Sequence, residues 1–314
     1  MEILEYDQVD PQQVLFLNHH ALGWPLTPER AVLIRRLDPR PFPFFGIYAV
    51  ENGNVAGQVL VYRLPMMSIE GPVDVGGVAA VCTHPLQARK GIGTMLLEEA
   101  HCRIRTAGMR FSTLGTSQYR AAYGLYRRLG YEDAFVPTAT FALRRDRCIT
   151  TALRAENADP AHLLLADELY PSLVEGCLGF ARRHDSYLQM MASIGDLELK
   201  ELFLIWNGSE LVGYSLARTH DEVLEIEHIA LLPGVDIYEA VSAVSQNFDT
   251  PYHWIRLDRP SQGASLMSAG YPRGVPTWTT FMVKPLVPQA SVDEARRLFQ
   301  IGADQFMISP LDVT

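Results

Sequence analysis

Apolar residues along the chain fall into short runs broken by glycine, proline and asparagine, a pattern that predicts short strands alternating with amphipathic helices. Residues 1–6 read as a first strand, and residues 10–37 as one or two helices interrupted at Gly23-Trp24-Pro25. The second helix restarts at Thr27-Pro28-Glu29-Arg30, a polar cap followed by proline. Pro39, Pro41 and Pro43 predict a stiff connection before a strand at residues 44–50. Glu51-Asn52-Gly53-Asn54 carries the Asn-Gly pair favoured in tight hairpins, and residues 55–64 return as its partner. Residues 72–83 give a central strand, 91–107 a helix, 111–115 a strand and 120–129 a helix ending at Gly130. Residues 136–143 close the unit as its last strand.

The pattern then begins again. Residues 148–154 read as a strand and 159–193 as helical. A hairpin follows, 202–206 and 211–217 around Asn207-Gly208-Ser209-Glu210, copying the first in place and turn chemistry. Residues 224–232 give a strand, 236–247 a helix and 253–257 a strand. The closing segments can be laid side by side, GYEDAFVPTATF at 130–141 and GYPRGVPTWTTF at 270–281, sharing Gly-Tyr, a terminal Phe and a Val-Pro-Thr shifted by one position. This is an internal duplication. It divides the chain into units at 1–145 and 146–285, with a helix and tail at 286–314. In that tail Ser291 and Glu294 predict a capped helix over 291–301, and residues 305–308 a short strand.

The chemistry of the first unit concentrates after its central strand. Pro85 closes the strand, and Gly91 and Gly93 open the following helix. Such a turn aims backbone N–H groups at one point, where the helix dipole favours an anion such as phosphate. The P-loop pattern is absent, because Lys90 precedes Gly91 and no Lys-Ser/Thr pair follows, and GxGxxG is absent because Gly93 runs into Thr94-Met95-Leu96. The second unit has Leu232-Pro233-Gly234-Val235-Asp236 instead, shorter and with an aspartate suited to cap the helix itself.

Composition narrows the classes. A formal net charge of −9 over 314 residues argues against nucleic acid as the main partner and suits an amine. Cys82, Cys102, Cys148 and Cys177 form no CxxC pair, which reads as reduced cysteine in a cytoplasmic protein. No run reaches membrane-spanning length, the acidic N-terminus is unlike a signal peptide, and no zinc-ligand set accompanies His101-Cys102 or His19-His20. No membrane or metal is therefore expected, and a homo-oligomer stays open.

Two segments carry a family resemblance. Ala88-Arg89-Lys90-Gly91-Ile92-Gly93 resembles the coenzyme A pyrophosphate loop of the GCN5-related N-acetyltransferases (GNAT), with Ala88 where that pattern has Arg or Gln. Leu125-Tyr126-Arg127-Arg128-Leu129-Gly130-Tyr131 resembles the family's Leu-Tyr-x-x-x-Gly-Phe/Tyr segment. The resemblance implies an α/β fold with a mixed sheet, here in tandem, and acetyl-CoA as co-substrate of an N-acetyltransferase acting on a small primary amine, polyamine-like or aminoglycoside-like. It places Ala88, Arg89, Lys90, Gly91, Ile92, Gly93 and Thr94 on the cofactor's phosphates. Ala80, Val81, Cys82 and Thr83 lie along its pantetheine, and Ser117 closes the opposite strand. Tyr126 becomes the general acid to the thiolate, and His84 a candidate base, since imidazole side chains exchange protons near neutral pH. Tandem GNAT architecture resembles Eis-type acetyltransferases without their sterol-carrier-like third domain. In those enzymes the terminal carboxylate orients the catalytic centre, a role that would fall to Thr314. Trp24, Phe42, Phe44 and Phe45 are candidates for an aromatic acceptor wall. The alternatives are a silent acyl-CoA-binding or scaffolding protein and a peptide N-terminal acetyltransferase.

Overall fold

The computed structural model describes residues 1–143 and 149–312. In chain order the first part gives β1 (Glu2–Glu5), α1 (Pro11–Leu22), α2 (Pro28–Leu37), β2 (Pro41–Glu51), β3 (Asn54–Ser68), β4 (Gly71–Thr83), α3 (Ile92–Thr106), β5 (Phe111–Ser117), α4 (Ala121–Arg128), β6 (Glu132–Phe135) and β7 (Thr138–Leu143). Next come β8 (Leu153–Asn157), α5 (His162–Leu173), β9 (Leu178–Gly179), α6 (Tyr187–Ser193), β10 (Leu202–Asn207), β11 (Glu210–His220) and β12 (Val223–Leu231). The rest is α7 (Ile237–Ser245), β13 (Tyr252–Leu257), α8 (Pro260–Ser268), β14 (Val275–Pro276), β15 (Thr279–Pro285), α9 (Val292–Phe299) and β16 (Phe306–Met307). No helix among the described residues is long and apolar enough to cross a membrane.

Local rules explain most boundaries. Asp10 and Thr27 accept from the amides of Gln12 and Arg30 and start α1 and α2, each with proline in the first turn. Ser291 does the same for α9 through the Glu294 amide. At the first hairpin Asn52 and Gly53 both take positive φ, 52° and 78°, which matches the right-handed twist of β2 and β3. The proline-rich connection is shorter than its sequence suggests, because Pro41 already pairs with Tyr62 at the start of β2. The ladder then skips to Gly46 opposite Leu60, so the prolines sit in an irregular stretch.

Two sheets result. One runs β1-β2-β3-β4-β5-β15-β6, with β9 and β16 attached through β3, and the other runs β8-β10-β11-β12-β13-β7-β14. Their orders correspond strand for strand, and in each the central pair, β4–β5 or β12–β13, is the parallel one. The duplication has one twist. Strand β7 leaves the first half to pair with β13 and β14, while β15 leaves the second half to pair with β5 and β6. Residues 136–143 therefore do not close the first sheet as their place in the chain suggests; the return strand comes from residues 279–285. The repeated Val-Pro-Thr segments are the two crossing points, where Thr277 N–H donates to Pro137 C=O at 2.8 Å. The sheets thus interleave across the sequence boundary at 145/146.

Helices α3 and α4 cover one face of the first sheet in a core that includes Ile47, Val59, Leu96, Ile104 and Tyr126. Helix α3 lies so close that a Cβ on Gly76 would stand 2.3 Å from Ile104 Cγ2. The other face shares one core with α1, α2, α5, α6 and the inner face of the second sheet, from Leu17 and Tyr48 to Leu204 and Tyr214. The tail is locked into that junction. Arg183 and Asp312, both almost fully buried, pair at 2.9 Å, and Arg183 also donates to the hydroxyls of Tyr214 and Ser309. Tyr187 in turn donates to Leu311 C=O.

Candidate active site

Strand β4 carries a bulge at the point where the first sheet opens. Gln58 faces Cys82 and Leu60 faces Ala79, so Ala80 and Val81 together oppose a single residue. Ala80 takes φ +47°, unusual for a residue with a Cβ. A buried polar pair holds it there: Gln58 Nε2 donates to Ala80 C=O at 3.2 Å, and the Gln58 and Asn18 amides exchange hydrogen bonds at 2.8 Å. Asn18 also donates to Val14 C=O, which ties the bulge to α1. Neither amide stood out in the sequence; the signal was a glutamine inside an apolar strand and an asparagine among the apolar positions of a helix.

Beyond the bulge the strands part. The β4–β5 ladder spans only Gly76–Ser112 and Gly77–Thr113. A cavity of about 630 Å³ opens between them, walled by residues 78–81 on one side and 115–117 on the other. Tyr126 and Arg120 border it, as do Phe135, Pro137, Trp278, Phe281, Ile308, Pro310 and Arg256 of the second lobe. The aromatic surface is thus Phe135, Trp278 and Phe281, whereas Phe42 and Phe45 are core residues and neither they, Phe44 nor Trp24 reach the cavity.

The sequence-predicted residues divide into three groups. Ala80, Val81, Ser117 and Tyr126 come together around the cavity. The turn from Ala88 to Gly91 is exposed and leads into α3, with Arg89 at φ +64° and Gly91 at φ +81°. Gly91 places no side chain over the helix amides, so the first N–H groups of Ile92, Gly93 and Thr94 lack a cap. This helix start abuts α4: a Cβ on Gly93 would stand 3.2 Å from Leu125 Cδ2 and 3.9 Å from Thr83 Oγ1. Lys90 is engaged locally by Gln87 and, at 3.8 Å, by Glu51. His84 belongs elsewhere. It lines a separate cavity of about 500 Å³ with Phe16 and Gln87, and its Nδ1 accepts from Leu86 N–H to cap the turn. His84 and Tyr126 therefore do not face a common space.

Burial sets the chemistry of the two ionisable groups nearest the bulge. Tyr126 is pushed up to about 12 by desolvation, against which Arg120 acts and to which Cys82 adds. Cys82 is also pushed up to about 12 by burial, opposed by a hydrogen bond from the Gln58 side, so it stays a thiol at neutral pH. Among the described residues no hydrogen bond holds the Tyr126 hydroxyl, and the cavity lining contains arginine but no aspartate, glutamate or histidine. Cys148 and Thr314 lie outside the described residues.

The second lobe keeps the bulge and loses the loop. Leu216 faces His228 and Ala217 faces Ile226, leaving Glu227 as the extra residue. Helix α7 is capped by Asp236, whose Oδ1 accepts from Tyr238 and Glu239 N–H at 2.7 and 3.1 Å.

Residues 8–134 match a family described as acetyltransferase (GNAT) domain. No curated protein matches the sequence. Among solved structures, a GCN5-related N-acetyltransferase from Anabaena variabilis is 17% identical with a TM-score of 0.69, over 91% of this chain and 73% of that one. Eis1 from Mycobacterium abscessus is 14% identical with a TM-score of 0.59, over 91% and 74%. A tandem GNAT protein from the clavulanic acid biosynthesis pathway is 14% identical with a TM-score of 0.56, over 92% and 99%. At these identities the likeness is one of fold: two mixed-sheet lobes in the tandem GNAT arrangement.

Proposed function

We propose, from the match of residues 8–134 to the acetyltransferase (GNAT) domain family, that the protein transfers an acetyl group from acetyl-CoA to the amine of a small molecule. The observation that carries this reading is the parting of β4 and β5 at a pinned bulge, with Tyr126 in the lining of the cavity between them. Acetyl-CoA supplies an acetyl group activated as a thioester. The residues suit it: the uncapped start of α3 at Gly91–Thr94 offers amides to a pyrophosphate, and Ala80–Cys82 offer strand backbone to an extended amide chain. The wall from Val78 to Val81 aligns the reacting carbonyl and the amine, so alignment is the main contribution to rate. Tyr126, neutral up to about pH 12, donates its proton to the departing sulfur. The second lobe binds no cofactor in this reading, because Asp236 fills the amides that a phosphate would take.

The test is a calorimetric titration with acetyl-CoA followed by an amine-dependent thiol-release assay. One site per chain and thiol release are expected. Two sites would overturn the reading of the second lobe. Binding without release on a broad amine panel would favour a cofactor-binding protein, the reading to which the lack of an aspartate, glutamate or histidine in the cavity lining lends weight.

A further inference from the structure

The charge of the cavity speaks to the acceptor. The described lining holds two cations, Arg120 and Arg256, and no carboxylate, although the chain carries an excess of acidic residues. The two arginines differ in place. Arg120 is exposed at the start of α4, on the side of α3 and Tyr126. Arg256 lies between Ile255 and Leu257, which pack in the core beneath α7 and α8. Strand alternation turns Arg256 to the opposite face. That face shares its core with α1, whose last residue, Leu22, also borders the cavity. Arg256 and Tyr126 therefore reach the opening from opposite sides of the first sheet.

Arg256 is also held in place. Its Nε donates to Asp258 Oδ1 at 2.6 Å, and its side chain is only 14% exposed. Among the described residues its two terminal amino groups take no hydrogen bond, while nearby Glu227 is engaged by Arg218 at 2.6 Å. A guanidinium fixed through Nε presents its other edge as a two-pronged donor, the geometry a carboxylate fits. The same cavity is lined by Leu22, Phe135, Trp278, Phe281, Ile308 and Pro310, apolar and aromatic groups, with Thr279 and Thr280 among them.

We infer that the acceptor carries a carboxylate next to its amine on an apolar or aromatic frame, and that Arg256 is the residue that reads this carboxylate. The inference rests on the acetyl-transfer reading for the amine, and on Arg256 alone for the anion. A polycation, the acceptor expected from sequence resemblance, meets two arginines in this lining and no carboxylate there.

L-phenylalanine and 2-phenylethylamine differ only in the carboxylate, and phenylacetate carries the carboxylate without the amine. With CoA bound, phenylacetate binding measured by calorimetry is expected in the parent protein and lost by about 10- to 100-fold in Arg256→Gln. Arg256→Lys recovers part of it, and CoA affinity is unchanged in both variants, which reports an intact fold. In the transfer assay L-phenylalanine outpaces 2-phenylethylamine by a similar factor through KM, and Arg256→Gln erases the ratio while keeping kcat. Phenylacetate that fails to bind, or binds Arg256→Gln equally well, overturns the inference. So does preferential turnover of 2-phenylethylamine or spermidine, which leaves acetyl transfer standing. Arg256-dependent phenylacetate binding with no amine acetylated overturns acetyl transfer and leaves the anion site.

Discussion

At the end of β4, residues 84–91 lead into a helix whose first amides have no cap; at the end of β12, residues 232–236 lead into one whose amides Asp236 has already taken. The strands around both helices run in the same order, and both central strands carry a one-residue bulge. Fold and strand irregularity are thus common to both halves, and only the second helix start carries a side-chain cap. That carboxylate satisfies N–H groups of the first turn and sets a negative charge at the helix start. A second contrast is conservative. Each half ends a helix with Gly-Tyr, and each tyrosine is buried beside a histidine: Tyr131 with His101 at 2.8 Å and Tyr271 with His253 at 3.2 Å. In the first lobe a chain of contacts runs from Lys284 through His101 and Tyr131 to Ser112.

The largest effect is expected at the feature only the first lobe has. Tyr126→Phe should lower kcat by about 10²- to 10³-fold in thiol release, with acetyl-CoA affinity unchanged. The alkaline decline of the parent enzyme should then lie near 12 and not at the ordinary tyrosine value of about 10. Unchanged turnover would remove Tyr126 from the chemistry.

Gly91→Asp makes the first helix start resemble the second. Like-signed charge and the left-handed backbone together should weaken acetyl-CoA by about 30- to 100-fold in calorimetry. Gly91→Ala, which carries the backbone strain without the charge, should lose less. Equal losses would make strain, not charge, the difference between the lobes.

Tyr131→Phe should destabilise by about 2 kcal/mol, since it strands both His101 and Ser112, and Tyr271→Phe by about 1 kcal/mol. Chemical denaturation measures both. His101 adds a pH signature. Burial, with Lys284 and Arg105 adding, pushes it down to about 3, so the unfolded chain takes up the proton first. Its contribution is full above about pH 6.5 and is lost as pH falls toward 3. His101→Gln should flatten the acid side of the stability curve; an unaltered slope would locate the titration elsewhere.

The smallest effect is expected at the capped helix start of the second lobe. Asp236→Ala should cost about 1 kcal/mol of stability through the lost cap. Acetyl-CoA stoichiometry should stay at one, and a second site appearing in this variant would mean that the aspartate alone had kept the lobe shut.

Much of this comparison was legible in the letters. The Asn-Gly hairpin, the Thr27, Ser291 and Asp236 caps and the glycines before α3 follow from rules that act within four residues, so the sequence states them directly. The repeat was legible too, because duplicated segments keep spelling similar solutions to the same packing problem. His84 was misplaced for the converse reason: proximity along the chain to Cys82 does not tell which face a residue takes after a bulge.

The sequence by itself determined the elements, the duplication and the difference between the two helix starts, since each is a short-range matter of φ, capping and period. Only the tertiary structure decided that β7 and β15 trade sheets, because a return strand pairs equally well with either of two matching edges. It also decided that Gln58 and Asn18 pin the bulge, and that Arg256 enters a cavity built mostly by the other half. Those outcomes depend on contacts between residues 22 or more positions apart, where no local pattern records which partner wins.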